Sequence, residues 1–453
     1  MKREALRDKN VDVVRATARD VLRAVRANEA YANLLLPKLL RERGITGRDA
    51  ALATELTYGT ARATGTLDAI ISAAANRPVA EIDGDVLDVL RLGAYQLLRT
   101  RIGAHAAVST SVDLIRSTAG MGPSGFVNAV LRKISQRDED LWIDELAPPM
   151  YEDMIGNLAF RYAHPRWIAE VFYERLGRSA GELQAELAAD DERPPVHLVA
   201  RPGMITAEEL ALVSGGEVGR YSPYCVYLPG GDPGAIDAVR EGYAGVQDEG
   251  SQLVALALSR APVANDAGRW LDLCAGPGGK AALLGAIAEI DGARIDAVEI
   301  SEHRAELIRK VTSDLPVDVV VADGRSSGLE PGYDRVLVDA PCTGLGSLRR
   351  RPEARWRRKP SDVDELVPLQ RDLLIEAVRL TKPGGVVVYS TCSPHPAETV
   401  GVVESVLAEH PEVTPLDARD LLPVNNVGDG PFVQLWPHRH GTDAMFLAAL
   451  RKA

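Results

Sequence analysis

Apolar residues recur at helical spacing through the first third of the chain. Val14, Ala18, Val21, Leu22 and Val25 fall on one helical face. The same pattern predicts helical stretches near 50–63, 67–75, 86–98, 108–117 and 126–135, punctuated by Gly44, Pro78, Gly103 and the turn at 120–123. Alternation of β-branched residues is scarce there, so residues 1–147 predict a compact all-α domain. Leu146-Ala147-Pro148-Pro149 reads as a linker. After it, a helical stretch opens at Tyr162-Ala163-His164-Pro165 and runs to about residue 187. A strand at 196–200, a helix at 206–213 capped by Thr206 and a strand at 224–228 predict a small α+β domain over 148–245.

From residue 246 the pattern changes. Strands are predicted at 270–274, 295–300, 317–322, 335–339 and 385–390, with helices between them at 280–289, 302–313 and 363–380. Strands alternating with helices argue a doubly wound, Rossmann-like α/β domain over 246–453. Its sheet should be parallel, with a ligand crevice at the strands' carboxyl ends.

A chain of 453 residues is long for one core and suggests about two or three domains. Apolar and charged fractions of 46% and 26% are those of a globular protein. No apolar run is long enough to span a bilayer, and the charged segment 1–10 lacks the apolar core of a secretory signal, so a cytoplasmic location is expected. The four cysteines, Cys225, Cys274, Cys342 and Cys392, form no CxxC pair, which argues against a disulfide framework or a metal site. The net charge of −12 argues against nucleic acid at face value. Its distribution changes that. Residues 349–359 carry seven basic residues, one acid and Trp356, and residues 1–50 have a basic excess. An acidic body with a basic strip suits an enzyme that meets RNA along one surface, and the strip is expected to grip phosphates.

Candidate chemistry sits at the predicted strand ends. The first strand of the α/β region runs into Cys274, Ala275, Gly276, Pro277, Gly278, Gly279 and Lys280, a glycine turn that opens a helix. It matches neither the Walker pattern nor a full GxGxxG. The second strand ends at Glu299, placed to accept two ribose hydroxyls, and the third at Asp323, where a carboxylate can accept from an adenine amine. A glycine loop with two strand-end acids and no phosphate cradle points to S-adenosylmethionine as cofactor.

Asp339-Ala340-Pro341-Cys342 follows the fourth strand and Tyr389-Ser390-Thr391-Cys392-Ser393 the fifth. Two cysteines at neighbouring strand ends fit chemistry on a cytosine. Carbon 5 of that ring is too weak a nucleophile to take a methyl from a sulfonium. A thiolate adding to carbon 6 makes an enamine whose carbon 5 is nucleophilic, and an acid such as Asp339 can stabilise the charge at N3. A base must then take the carbon 5 proton so that the thiol can leave.

At these residues the chain resembles the Sun/Fmu/NOL1 family of RNA cytosine-5 methyltransferases. The resemblance implies that Cys392 attacks, Cys342 assists release, Asp339 contacts N3 and the cofactor side, and Lys280 lies near the reacting centre. It implies that 274–280, Glu299, Asp323 and Asp339 hold the cofactor. The segments 54–59, 90–96 and 126–132 look like a NusB-type RNA-binding domain, and 246–252 and 437–443 like further parts of the catalytic module. The small domain over 148–245 is then expected to recognise RNA. Such a front joined to this module resembles the bacterial small-subunit (16S) ribosomal RNA enzymes. The implied partner is 16S ribosomal RNA or a small-subunit assembly intermediate, met by a monomer. Departures are mild: Ala281 stands where the family loop ends in Thr, Glu299 where Asp is common, and Asp443-Ala444-Met445-Phe446 where DGFF is usual. A NusB-like binding protein with an inactive methyltransferase fold is the rival reading. The intact Cys342, Cys392, Asp339 and glycine loop speak against it.

Overall fold

The computed structural model describes residues 12–453; the charged segment 1–10 and the start of the basic excess over 1–50 lie outside the described residues. The chain forms two units, Met1–Glu192 with Leu348–Arg358, and Arg193–Ser347 with Lys359–Ala453.

The first unit is helical. Helices Val13–Asn28, Gly47–Ala75, Gly84–Arg99, Ala104–Ala119, Ser124–Ile134 and Glu139–Leu146 pack around Leu67, Ile70, Ile71, Leu90, Leu92, Ile115 and Leu131, all buried. Asp12 caps the first helix by accepting from the backbone N–H of Val14 and Arg15. Helix Ala32–Arg43, which the sequence reading does not predict, buries Leu36 against Val14, Val21 and Ala53. Gly47–Ala75 runs as one helix where two were expected, with Gly65 in its interior. A Cβ there would lie 2.1 Å from the Trp356 ring, so the glycine makes room for an indole.

The strip 349–359 was expected to face RNA, yet much of it is packed into the helical unit. Arg355 is fully buried and donates to the carbonyls of Ala163 (2.8 Å) and Asp190 (3.0 Å). Trp356 donates its indole N–H to the Arg62 carbonyl at 3.0 Å. Arg357 donates to the carbonyls of Val25, Glu29 and Ala30. Those last carbonyls end a helix, where backbone acceptors lack intrahelical partners and the helix dipole favours a cation. Arg351 and Lys359 remain exposed. Helices Met154–Arg161, Arg166–Arg175 and Ala180–Asp191 also join this unit, so the small domain expected over 148–245 is divided at 192/193.

The second unit holds two sheets. The smaller comprises β1 (Val196–Ala200), β2 (Glu217–Val218), β3 (Cys225–Leu228) and β4 (Ala244–Val246) in the antiparallel order β2-β3-β1-β4. Helix Ala207–Ser214 begins at Thr206 with a reciprocal bond to Glu209. The larger sheet comprises β5 (Arg269–Asp272), β6 (Arg294–Glu299), β7 (Val317–Val321), β8 (Tyr333–Asp339), β9 (Thr381–Thr391), β10 (Val413–Leu416), β11 (Val433–Gln434) and β12 (Phe446–Lys452). Its order is β10-β12-β9-β8-β5-β6-β7, with β11 paired to β12. Strands β5 to β9 pair in parallel, but β12 runs antiparallel to both β9 and β10. The sheet is therefore mixed where a parallel one was expected. The chain between β10 and β12 makes only short helical turns, Ala418–Leu421 and Pro437–His440, and lacks the helix that usually carries a parallel crossover. Apolar runs such as Val336-Leu337-Val338 are buried on both sheet faces, as helices on either side require. Among the described residues no helix is long and apolar enough to cross a membrane.

Candidate active site

The parallel strands β5 to β9 bring their carboxyl ends to one edge, and every site residue expected from sequence lies there. After Asp272 the chain turns through a cis Gly276–Pro277 peptide and Gly278, at φ +112°, into helix Gly279–Asp291. The turn leaves no room for side chains. A Cβ on Gly276 would lie 2.0 Å from Glu299 Oε2, and one on Gly278 would lie 2.7 Å from Val311 Cγ2. Glu299, at the end of β6, is buried and accepts from the Ser301 N–H at 2.9 Å. Arg304 approaches its Oε2 at 3.4 Å and also donates to the Gly276 carbonyl. Asp323, just past β7, accepts from the Arg325 backbone (2.9 Å) and guanidinium, and those bonds hold its carboxyl below the usual range. The Ala322 N–H donates to the Glu299 carbonyl at 3.2 Å, tying the two strand ends together.

Asp272 closes β5 and is buried. Its Oδ1 accepts weakly from the Cys274 N–H at 3.4 Å, while Oδ2 has no hydrogen-bond partner among the described residues. Burial, reinforced by the charge on Asp339, pushes this carboxyl up to about 7. Burial likewise pushes the Cys274 thiol up, so it stays protonated.

On the neighbouring strands Asp339 pairs with Ser390 in the β8–β9 register, and the Ala340 N–H donates to the Ser390 carbonyl at 2.9 Å. Lys280 Nζ donates to Asp339 Oδ2 at 2.7 Å. Burial alone would discharge the lysine; the Asp339 charge and hydrogen bond outweigh it, and the Lys280 pKa is raised. The Sγ atoms of Cys342 and Cys392 lie 3.4 Å apart. Cys342 is pushed well up by its hydrogen bond to Cys392 and by burial. A charge at Cys392 in turn favours the Lys280 ammonium.

Sequence reasoning missed four residues here. Arg304 lies on a helix whose face toward the loop is invisible in one dimension. Asp272 had a signal, an acid at the last position of the strand before the glycine turn. Gly346 donates to the Cys392 carbonyl at 2.8 Å and accepts from the Ala444 N–H at 2.8 Å, packing the loop after Cys342 onto both segments. Glu398 is fully buried and bonded to residues 28 and 55 positions away, a pattern no local signal carries.

A mixed Rossmann-like sheet with a glycine cradle, strand-end acids and a paired thiol site defines a methyltransferase, here joined to a helical front unit. The comparisons with known proteins place it. The sequence profile described as 16S rRNA methyltransferase RsmB/F matches residues 257–451, and that of the NusB family matches residues 12–136. The chain is 61% identical over 448 residues to a Mycobacterium tuberculosis protein named as a methyltransferase, covering 98% of each. It is 32% identical over 417 residues to the ribosomal RNA small subunit methyltransferase B of Pseudomonas putida, covering 89% of this chain and 91% of that one. Among solved structures it is similar in fold to PH0851, with a TM-score of 0.80 and 23% identity over 98% of this chain and all of that one. NSun6 from Pyrococcus horikoshii follows at a TM-score of 0.55 and 19% identity, over 64% of this chain and 98% of that one. The chain belongs to the RsmB/F family of ribosomal RNA methyltransferases, which use S-adenosylmethionine and act on RNA. The residues fit that cofactor. A cradle too tight for a Cβ, an unpartnered buried carboxylate oxygen on Asp272 and the neighbouring carboxylates of Glu299 and Asp339 suit a ligand bearing ribose hydroxyls and positive charge.

Proposed function

We propose that this protein methylates carbon 5 of a cytosine in 16S ribosomal RNA through a covalent bond from Cys392 to carbon 6. The observation that carries the reading is the 3.4 Å contact of Cys342 and Cys392 on the strand ends beside the Lys280–Asp339 pair. Bound S-adenosylmethionine supplies a methyl group on a positively charged sulfur. Gly276, Pro277, Gly278, Gly279 and the backbone of Cys274 and Ala275 cradle it, Glu299 accepts from its ribose and Asp323 from its adenine.

The Cys392 thiolate adds to carbon 6, forming the S–C bond and moving the ring's electrons toward N3 and carbon 5. Asp339 contacts the N3 side of the ring, and the Lys280 ammonium bonded to it offsets the negative charge that develops there. Lys280 also favours a negative sulfur at Cys392, which supports Cys392 as the nucleophile. Once carbon 5 carries the methyl, loss of its proton to a base lets the S–C bond break and the thiolate depart. Cys342, in contact with the departing sulfur, assists that release.

The NusB-like helical domain and the small sheet domain are assigned to RNA contact, with the chain acting as a cytoplasmic monomer on naked RNA or a small-subunit assembly intermediate. Nucleoside mass spectrometry of 16S ribosomal RNA from a deletion strain tests the reading. Loss of one 5-methylcytidine, restored by adding the purified protein and cofactor, is expected. Restoration of a different methylated nucleoside would overturn it.

A further inference from the structure

One buried carboxylate reaches both thiol-bearing loops. Glu398 lies in the short turn Pro396–Glu398 beyond β9 and is fully buried. Its Oε1 accepts from the Thr343 N–H at 2.7 Å and from Gln370 Nε2 at 3.0 Å. Its Oε2 accepts from Ser393 Oγ at 2.6 Å and from the Thr343 hydroxyl. Thr343 directly follows Cys342, and Ser393 directly follows Cys392. Gln370 also donates to the Pro341 carbonyl at 3.0 Å, on the other side of Cys342. Glu398 is itself anchored, since its backbone carbonyl accepts from the Tyr389 hydroxyl at 2.8 Å.

We propose that Glu398 is a positioning residue for the reaction: its carboxylate clamps the loops of Cys342 and Cys392 so that the two sulfurs stay in contact. The proposal rests on the reading of those cysteines as the reacting pair. An ionised carboxylate only accepts, with about four lone-pair sites, and here it meets four donors. Two of them, the Thr343 N–H and the Gln370 amide, cannot turn into acceptors. A glutamine at 398 would aim an NH2 group at donors, and an aspartate, one methylene shorter, would not span both loops. Either change leaves buried donors unpaired and frees the loops to separate.

The test uses the full-length protein carrying Glu398→Gln, with Ser393→Ala as a second variant that cuts only the tether to the Cys392 loop. Calorimetry with S-adenosylmethionine reports whether the cofactor site is intact. Methyl transfer gives kcat and KM for RNA. Diamide gives a geometric readout independent of catalysis: it takes up the two electrons and two protons released when the Cys342 and Cys392 thiols join as a disulfide, counted by peptide mass spectrometry. Expected are unchanged cofactor affinity and RNA KM, a kcat lower by about a hundredfold, the scale of an ångström-sized misplacement, and slower cross-linking. If Glu398→Gln fails to bind cofactor, Ser393→Ala should show the same directions to a smaller extent. A fall in kcat with cross-linking as fast as in the wild type would overturn the clamp. Slower cross-linking with unchanged kcat would show that the contact of the two sulfurs is not needed for turnover and would overturn the positioning role, while the covalent reading stands or falls on loss of the adduct in Cys392→Ala.

Discussion

Lys280 Nζ donates to Asp339 Oδ2 at 2.7 Å, joining the first turn of the helix after the glycine loop to the end of β8. The cofactor cradle and the thiol site therefore share one ion pair. Removing the carboxylate strands an ammonium where burial disfavours charge. Asp339→Asn should lower kcat for labelled methyl transfer by about a hundredfold or more, the usual scale for losing an acid–base group. If kcat holds and only cofactor affinity falls, the pair serves binding and not chemistry.

How much of this was legible follows from what each residue's role depends on. Asp339, Cys342 and Cys392 could be grouped from sequence because parallel strands deliver their carboxyl ends to one edge, so strand ends in sequence become neighbours in space. Glu398 could not, because its donors come from three separate segments. The basic strip misled for a related reason. Charge density in a sequence shows the cations but not their acceptors, and Arg357 spends its guanidinium on the carbonyls that end a helix. The joining of the stretches expected at 50–63 and 67–75 into one helix was not legible either, because the Trp356 ring that packs on Gly65 lies far along the chain.

Gly346 should not tolerate a side chain. A Cβ there would lie 2.1 Å from the Ala444 carbonyl oxygen, which is backbone and cannot turn aside. Gly346→Ala should therefore displace the loop after Cys342, costing about 1–3 kcal/mol by overpacking, read by urea unfolding. Activity should fall with it. Wild-type stability and rate would show that the loop shifts freely.

Arg355 is expected to hold the helical unit together and not to touch RNA. It is fully buried, burial lowers it to about 10, and it serves the carbonyls of Ala163 and Asp190. Arg355→Met would leave those acceptors and the nearby Asp190 without their cation, while Asp191 keeps Arg99 at 2.9 Å, a loss on the order of 3–5 kcal/mol. The melting temperature should drop. The slope of RNA affinity against salt should not change, and a slope smaller by about one would mean that Arg355 neutralises a phosphate.

Asp272 should make cofactor affinity depend on pH. Its carboxyl titrates near 7 because burial, and then the charge of Asp339, disfavour ionisation. A positively charged ligand favours the ionised form, so binding below that pH must expel a proton. Affinity should rise as pH increases toward 7 and flatten above it, with a binding enthalpy that varies with the buffer. Asp272→Asn should remove the slope. A mutant that keeps the wild-type slope would assign the titration to another group.

The two cysteines should have unequal phenotypes. Their sulfurs touch at 3.4 Å, and Lys280 favours charge at Cys392. If Cys392 is the nucleophile, Cys392→Ala should abolish both methyl transfer and any covalent bond to RNA. Cys342→Ala removes a group needed only after attack, so addition to carbon 6 can proceed and release stalls. That variant should accumulate a protein–RNA adduct, seen as a slow band on a denaturing gel and removed by protease. An adduct retained in Cys392→Ala and lost in Cys342→Ala would reverse the two roles, while leaving the cofactor cradle untouched.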